Sequence, residues 1–158
     1  MTTSEITIKT PVGPLTITER NGFITHCLFT KNPVRLKTTS AVLRSAHHQF
    51  DEYFEGQRID FDLPLAPSGT PFQQSVWDAL QTIAYGETWS YQQLAGHVGN
   101  PKAFRAAGTA NAKNPIGIII PCHRVILATG KTGSYAGGDD VKIKLLNFEQ
   151  KGESIAAA

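Results

Sequence analysis

Apolar and polar residues alternate through much of the first thirty positions. Ile6 and Ile8, then Leu15 and Ile17, are each separated by one polar residue, the period of a half-buried strand. Pro11-Val12-Gly13-Pro14 predicts a turn between these two runs. Asn21-Gly22 precedes the run from Phe23 to Phe29 and is a strong hairpin signal, because both residues tolerate the positive φ of a two-residue hairpin turn. Together the three runs predict an antiparallel meander. The period then changes. Val42, Leu43, Ala46, Phe50, Tyr53 and Phe54 recur at three- and four-residue spacing, which predicts a helix over the sheet, stopped by Gly56.

Residues 64–71 (PLAPSGTP) are rich in Pro, Gly and Ser and read as a connection. The predicted organisation is a β-rich domain over 1–66, a linker over 67–71 and a second domain over 72–158. Thr70 is the expected N-cap of a helix with Pro71 at its first position, and Phe72, Val76, Leu80 and Ile83 form its apolar face before Gly86. Ser90 caps a second helix from Tyr91 to His97, with Leu94 and Val98 inward, and Gly99-Asn100-Pro101 ends it. A third helix, from Lys102 to about Ala112, completes a helix-turn-helix layout. A last helix is predicted from Val141 to Gln150, and the alanine tail at 156–158 reads as frayed. The fold class expected is α/β in the α+β sense. A small N-terminal antiparallel-sheet domain with a helix precedes a mostly helical C-terminal domain that contains the helix-turn-helix.

Composition narrows the class without naming a function. The chain has 158 residues, 41% hydrophobic and 18% charged, too apolar for a disordered chain. Two cysteines far apart, Cys27 and Cys122, do not make a disulfide scaffold, and a reducing cytoplasm is the expected location. No leader-like pattern opens the chain, and the apolar run from Ile116 to Ile120 is too short to span a bilayer, so no membrane partner is expected. His47 and His48 are adjacent on a helix and no C-x-x-C or H-x-x-x-H occurs, so no metal and no cofactor are predicted. Residues 1–89 carry 7 basic and 9 acidic side chains, whereas residues 90–158 carry 8 and 4. A basic C-terminal half suits a phosphate backbone.

The richest chemistry lies in Asn114-Pro-Ile-Gly-Ile-Ile-Ile-Pro-Cys-His-Arg-Val125. A free thiol is only ~3% ionised at neutral pH, so a nucleophilic Cys122 needs a base that brings its pKa towards neutrality, and a group that orients the base. His123 is the adjacent candidate, provided a turn or helix start after Pro121 brings it round or a water bridges the two, and Glu149 on the last helix is the candidate orienter. Spacing alone leaves open a buried structural thiol, a core histidine and a solvated carboxylate. Cys27, in an alternating strand, reads as core. The third helix is unusual in carrying small residues almost throughout (Ala103, Ala106, Ala107, Gly108, Thr109, Ala110), with Arg105 as its one long charged arm. That surface permits either tight helix packing or close approach to another molecule.

The segments FQQSVWDAL, GETWSYQQLA, GNPKAFRAAG, KNPIGIIIPCHRVI, SYAGG and KIKLLNFEQKG, spanning Phe72 to Gly152, together resemble the O6-alkylguanine-DNA alkyltransferases. DEYFEGQ and FDLPL in the N-terminal part are similar to the family's smaller domain. The resemblance implies irreversible, single-turnover transfer of an alkyl group from O6-alkylguanine, with O4-alkylthymine as a second candidate, in flipped-out duplex DNA to the protein's own Cys122. It implies that His123 acts through a water as the base, that Glu149 holds His123, and that Asn114 supports the site. Tyr91 would protonate the leaving guanine and press on the backbone, and Arg105 would fill the space left in the DNA. Lys102, Ala103, Ala106, Gly108 and Thr109 would complete the minor-groove contact. Val125, Tyr135, Ala136, Gly137, Gly117 and Asn111 would shape the guanine pocket; serine is frequent in the family where Ala136 stands, so a hydroxyl contact is absent here. Further copies of the chain along the DNA are a candidate partner.

Three other readings fit less well. A lesion-flagging relative without chemistry would lack Cys122. A cysteine hydrolase would have no use for Arg105 on an alanine-rich helix. A sequence-reading regulator would carry Asn, Gln or Arg on its recognition helix where this one has alanine.

Overall fold

The computed structural model describes residues 3–155; the predicted frayed tail lies outside them. The chain divides into two compact units. One runs up to Pro67 and takes back Pro115–Ile119; the other holds Ser68–Asn114 and Ile120–Glu153.

The first unit is built on β1 (Thr3–Ile8), β2 (Leu15–Arg20) and β3 (Phe23–Phe29), antiparallel in the order β1-β2-β3. Asn21 (φ 53°) and Gly22 (φ 86°) supply the positive φ of the hairpin turn. Alternation sends Ile6, Ile8, Leu15, Ile17, Ile24 and Cys27 to one face, where Leu43, Ala46, Phe50 and Tyr53 of α1 (Ala41–Phe54) are also buried. Each such large apolar side chain contributes roughly 1.5–3 kcal/mol. Ser40 caps α1 by accepting from the Leu43 N–H at 3.1 Å, and its hydroxyl donates to Glu19 at 2.8 Å.

Two segments extend this sheet in ways that short-range pattern did not predict. The Ile24 amide donates to the Pro64 carbonyl at 2.8 Å, so the start of the proline-rich stretch lies along the sheet edge. The Cys27 amide donates to the Pro115 carbonyl, and the Gly117 amide to the Cys27 carbonyl, both at 2.9 Å.

The second unit begins with α2 (Pro71–Leu80), closed by a reciprocal capping box between Thr70 and Gln73. Phe72, expected on its inner face, is 38% exposed; Trp77 fills the interior instead and donates its indole N–H to the Ala110 carbonyl at 2.9 Å. The short helix α3 (Tyr91–His97) has a second capping box, Ser90 with Gln93. The expected helix from Lys102 opens instead as a 3₁₀ turn, Pro101–Ala103, and α4 spans Phe104–Ala112. The cause is local: the Asn100 side chain accepts from the Lys102 amide at 3.1 Å, and Pro101 fixes the tight first turn. A two-residue parallel pair joins β4 (Trp89–Ser90) to β5 (Val125–Ile126). The last helix, α5 (Asp139–Lys151), starts with two acidic residues, suited to its positive end, and stops at left-handed Gly152. Among the described residues no helix is long and apolar enough to cross a membrane.

Candidate active site

The approach to Cys122 is a pair of three-residue turns. The Ile119 amide donates to Gly117 and the Cys122 amide to Ile120, each at 2.8 Å. Ile118, at the centre of the first, has φ 66°, a conformation that β-branched residues seldom adopt and that costs about 1–3 kcal/mol. Cys122, His123 and Arg124 then form a 3₁₀ turn, in which successive side chains diverge. A turn thus follows Pro121. All three side chains are buried.

His123 Nε2 lies 2.8 Å from Oε2 of Glu149. Arg124 closes on the same carboxylate with both edges of its fork, Nε to Oε1 at 2.8 Å and Nη2 to Oε2 at 3.0 Å, and its Nη1 donates to the Ile83 carbonyl at 2.7 Å. Burial alone would push the Glu149 carboxyl up; the charges and hydrogen bonds of His123 and Arg124 overcome that and hold it far below the usual range. An ionised Glu149 accepts the Nε2 proton and leaves Nδ1 as the ring's basic nitrogen. Nδ1 has no hydrogen-bond partner among the described residues. The Tyr135 ring meets the imidazole edge-on at 6.4 Å.

The thiol itself departs from expectation. Burial pushes Cys122 above the ordinary thiol value, and a hydrogen bond from Asn114, the charge of Lys142 and a backbone hydrogen bond only partly oppose this. The resting site therefore holds a protonated sulfur, not the near-neutral thiolate expected of an activated cysteine. Asn114 also donates to the Ile120 carbonyl at 2.8 Å. Asn111 is buried, its amide 3.5 Å from the Cys122 carbonyl.

Tyr91, the first residue of α3, is set beside β5 by the Trp89–Val125 and Ser90–Ile126 pairing. Its phenol is pushed up by burial and by the nearby Cys122, so it stays protonated at neutral pH. A methyl at Gly108 would approach the tyrosine ring to 3.2 Å, and one at Gly133 would approach its hydroxyl to 3.2 Å. Tyr91 thus occupies space that two glycines leave open. With Arg105, Gly108, Thr109, Leu127 and Ser134 it lines a cavity of about 580 Å³, a volume suited to a small organic ligand.

The remaining sequence-predicted residues are dispersed. Lys102, Arg105, Ala106 and Thr109 are exposed along one stripe, while Ala107 and Ala110 are buried. Val125, Tyr135, Ala136, Gly137 and Asn111 are not among the residues lining the cavity, and Gly117 pairs with Cys27 in the first unit. Cys27 is fully buried and pushed far up by that burial, as a core thiol should be. Among the described residues no three His, Cys, Asp or Glu side chains are grouped to hold a metal.

Sequence reasoning gave no role to Arg124 or Lys142. The fully buried Lys142 donates from Nζ to the Val125 carbonyl at 2.7 Å. Only Lys142 had a signal: Lys142, Leu145, Leu146 and Glu149 fall on one helical stripe, so two charges sit where only apolar residues belong.

Comparison with known proteins gives a consistent picture. Residues 71–151 match the family described as 6-O-methylguanine DNA methyltransferase, DNA binding domain, and residues 4–67 match its ribonuclease-like domain. A methylated-DNA–protein-cysteine methyltransferase of Methanosarcina barkeri is 44% identical over 149 residues, covering 90% of this chain and 94% of its own. The constitutive enzyme of that name from Bacillus subtilis is 44% identical over 154 residues, with 91% and 93% covered. The crystal structure of the Mycobacterium tuberculosis O6-methylguanine methyltransferase superposes with a TM-score of 0.86 at 41% identity, covering 95% of this chain and 94% of that one. A structure of the same organism's protein in complex with DNA has a TM-score of 0.86 at 42% identity, with 96% and 95% covered.

Proposed function

Because the chain belongs to the 6-O-methylguanine DNA methyltransferase family, we propose that it reverses alkylation damage in DNA by moving the alkyl group from O6 of guanine to Sγ of its own Cys122. The observation that carries the assignment of residues is the buried relay of His123, Glu149 and Arg124, whose His123 directly follows a thiol that burial pushes above its ordinary value.

The chemistry follows from that geometry. Nδ1 of His123 takes the thiol proton through an intervening water, while Glu149 stabilises the imidazolium that results. The thiolate attacks the alkyl carbon in line; the S–C bond forms as the C–O6 bond breaks. The electron pair leaves with guanine, and the Tyr91 hydroxyl supplies a proton to the departing base. Asn114 steadies the sulfur. The product is a thioether, which no group in the site can cleave, so each chain reacts once. The same steps extend to O4-alkylthymine, which also presents an alkylated oxygen.

O6 of guanine is inside the duplex, so the nucleotide must be extruded, at a cost of a few kcal/mol. Arg105 fills the gap. The exposed Ala106 and Thr109 are small and lie beside the cations Lys102 and Arg105, a surface that suits the narrow minor groove better than a bulky reading helix. Val125, Tyr135, Ala136 and Gly137 close on the extruded base, and further copies of the chain bind along the same duplex. The work takes place in a reducing cytoplasm, where both cysteines stay free.

Intact mass after incubation with a duplex carrying one O6-methylguanine tests the proposal. A gain of about 14 Da for one net CH₂, on Cys122 and never more than once per chain, is the expected result. No adduct, an adduct elsewhere, or repeated turnover overturns it.

A further inference from the structure

Lys142 is the buried charge that the mechanism above leaves unused. Its side chain is fully buried on α5, in line with Leu145 and Leu146. Nζ donates to the Val125 carbonyl at 2.7 Å and, less closely, to the Ser134 carbonyl at 3.4 Å. Among the described residues it forms no ion pair, since Glu149 is engaged by His123 and Arg124. Burying an ammonium without a buried carboxylate costs several kcal/mol, and a methionine would fill the same stripe without that penalty. Packing alone therefore gives no reason for a lysine here.

We propose that the Lys142 ammonium is a fixed counter-charge for the Cys122 thiolate, lowering the cost of its formation during alkyl transfer. The groups around the pair leave it this role. Tyr91 of α3 is a neutral phenol, and Arg124 and His123 in the cysteine turn are both engaged by the Glu149 carboxylate. Asp139, at the exposed start of α5, is the other charge that Lys142 senses. Burial pushes the lysine down while Cys122 and Asp139 draw it back up, and its charge in turn opposes the upward push of burial on the sulfur. Lys142 exchanges no proton in this role. It supplies a positive potential in a low-dielectric site, where a single charge acts strongly. The Val125 carbonyl, which it holds, lies three residues beyond the sulfur, so the cation is anchored to the same turn as the nucleophile.

The inference takes its purpose from the repair reading, but its test does not need alkylated DNA. Cys122 would be alkylated with iodoacetamide across pH in the full chain, with the site of modification located by peptide mass. Lys142→Gln retains a donor for the Val125 carbonyl without the charge, and Lys142→Met removes both. Both variants are expected to lose at least about tenfold in Cys122 alkylation rate at neutral pH, with the midpoint of the pH profile moved upward. Circular dichroism identifies whichever variant folds. A folded Gln or Met variant with the wild-type profile overturns the proposal, as does an equal fall in rate at every pH with an unmoved midpoint. Failure of the wild-type protein to take an alkyl group from DNA would instead sink the repair reading, while the iodoacetamide profile would still decide the role of Lys142.

Discussion

Arg124 binds both carboxylate oxygens of Glu149, at 2.8 and 3.0 Å, and so fixes the plane that His123 must meet. Glu149→Gln keeps the volume but leaves a buried guanidinium without its counter-ion, which is expected to destabilise the protein by about 3–5 kcal/mol. The folded-state Glu149 lies below its unfolded value, so its contribution to stability is complete above roughly pH 4.3. It declines as pH falls from there towards the folded value. Urea midpoints measured from pH 3 to 7 should show a steeper acid loss in the wild type than in Glu149→Gln.

Gly69 lies against the Trp77 indole. A methyl group there would stand 2.4 Å from Cη2 and 2.6 Å from Cζ3 of a ring that is buried. Gly69→Ala should destabilise by about 1–3 kcal/mol through overpacking, read as a lower thermal midpoint. The Tyr91 and Cys122 chemistry should survive at temperatures where the variant is folded.

Gly108 tests the placement of Tyr91. The ring has space for a methyl at 3.2 Å only by yielding a few tenths of an ångström, and a valine would displace it further. Gly108→Val should slow transfer from a free O6-benzylguanine as well as from duplex DNA, whereas a role in DNA contact alone would spare the free base.

Arg105 should separate the two substrates in the opposite sense. It is exposed, 6.0 Å from the Phe104 ring centroid, and remote from the relay in sequence. Arg105→Ala is expected to lower the rate on duplex DNA by tenfold or more while leaving free-base transfer within about twofold of wild type, as fits a side chain that holds an extruded nucleotide out of the stack. Equal losses on both substrates would refute that role.

Cys27→Ala should retain one alkyl per chain, because that thiol lies in the sheet core and is held far from ionisation. Labelling at Cys122 would be unchanged by intact mass.

What could be read from sequence was mainly local. Asn21-Gly22, the Val42–Phe54 spacing and the Thr70 and Ser90 caps each depend on residues within one turn or helix, and the corresponding elements are present. Pairings between distant segments were hidden. Nothing near Gly117 announces that its amide bonds to Cys27, and nothing near Trp89 announces Val125. Phe72 has the right period for the core, but Trp77 occupies it. At the site, Cys122, His123 and Glu149 were found as candidates by residue type. The protonated state of the thiol was not, because burial, which decides it, is a property of the packed structure. Arg124 and Lys142 were passed over because charged side chains suggest solvent, although the place of Lys142 on the apolar stripe of α5 pointed inward.

A reagent that works once must not be wasted on bystanders. In a cell rich in small electrophiles, an always-ionised, exposed sulfur would be quenched long before any damaged base arrived. On the chemistry proposed above, the 8% exposure of Cys122 and the upward push of burial on its thiol act as a safety catch. The shelf life of each molecule is set by how rarely that proton leaves when no nucleotide is in place.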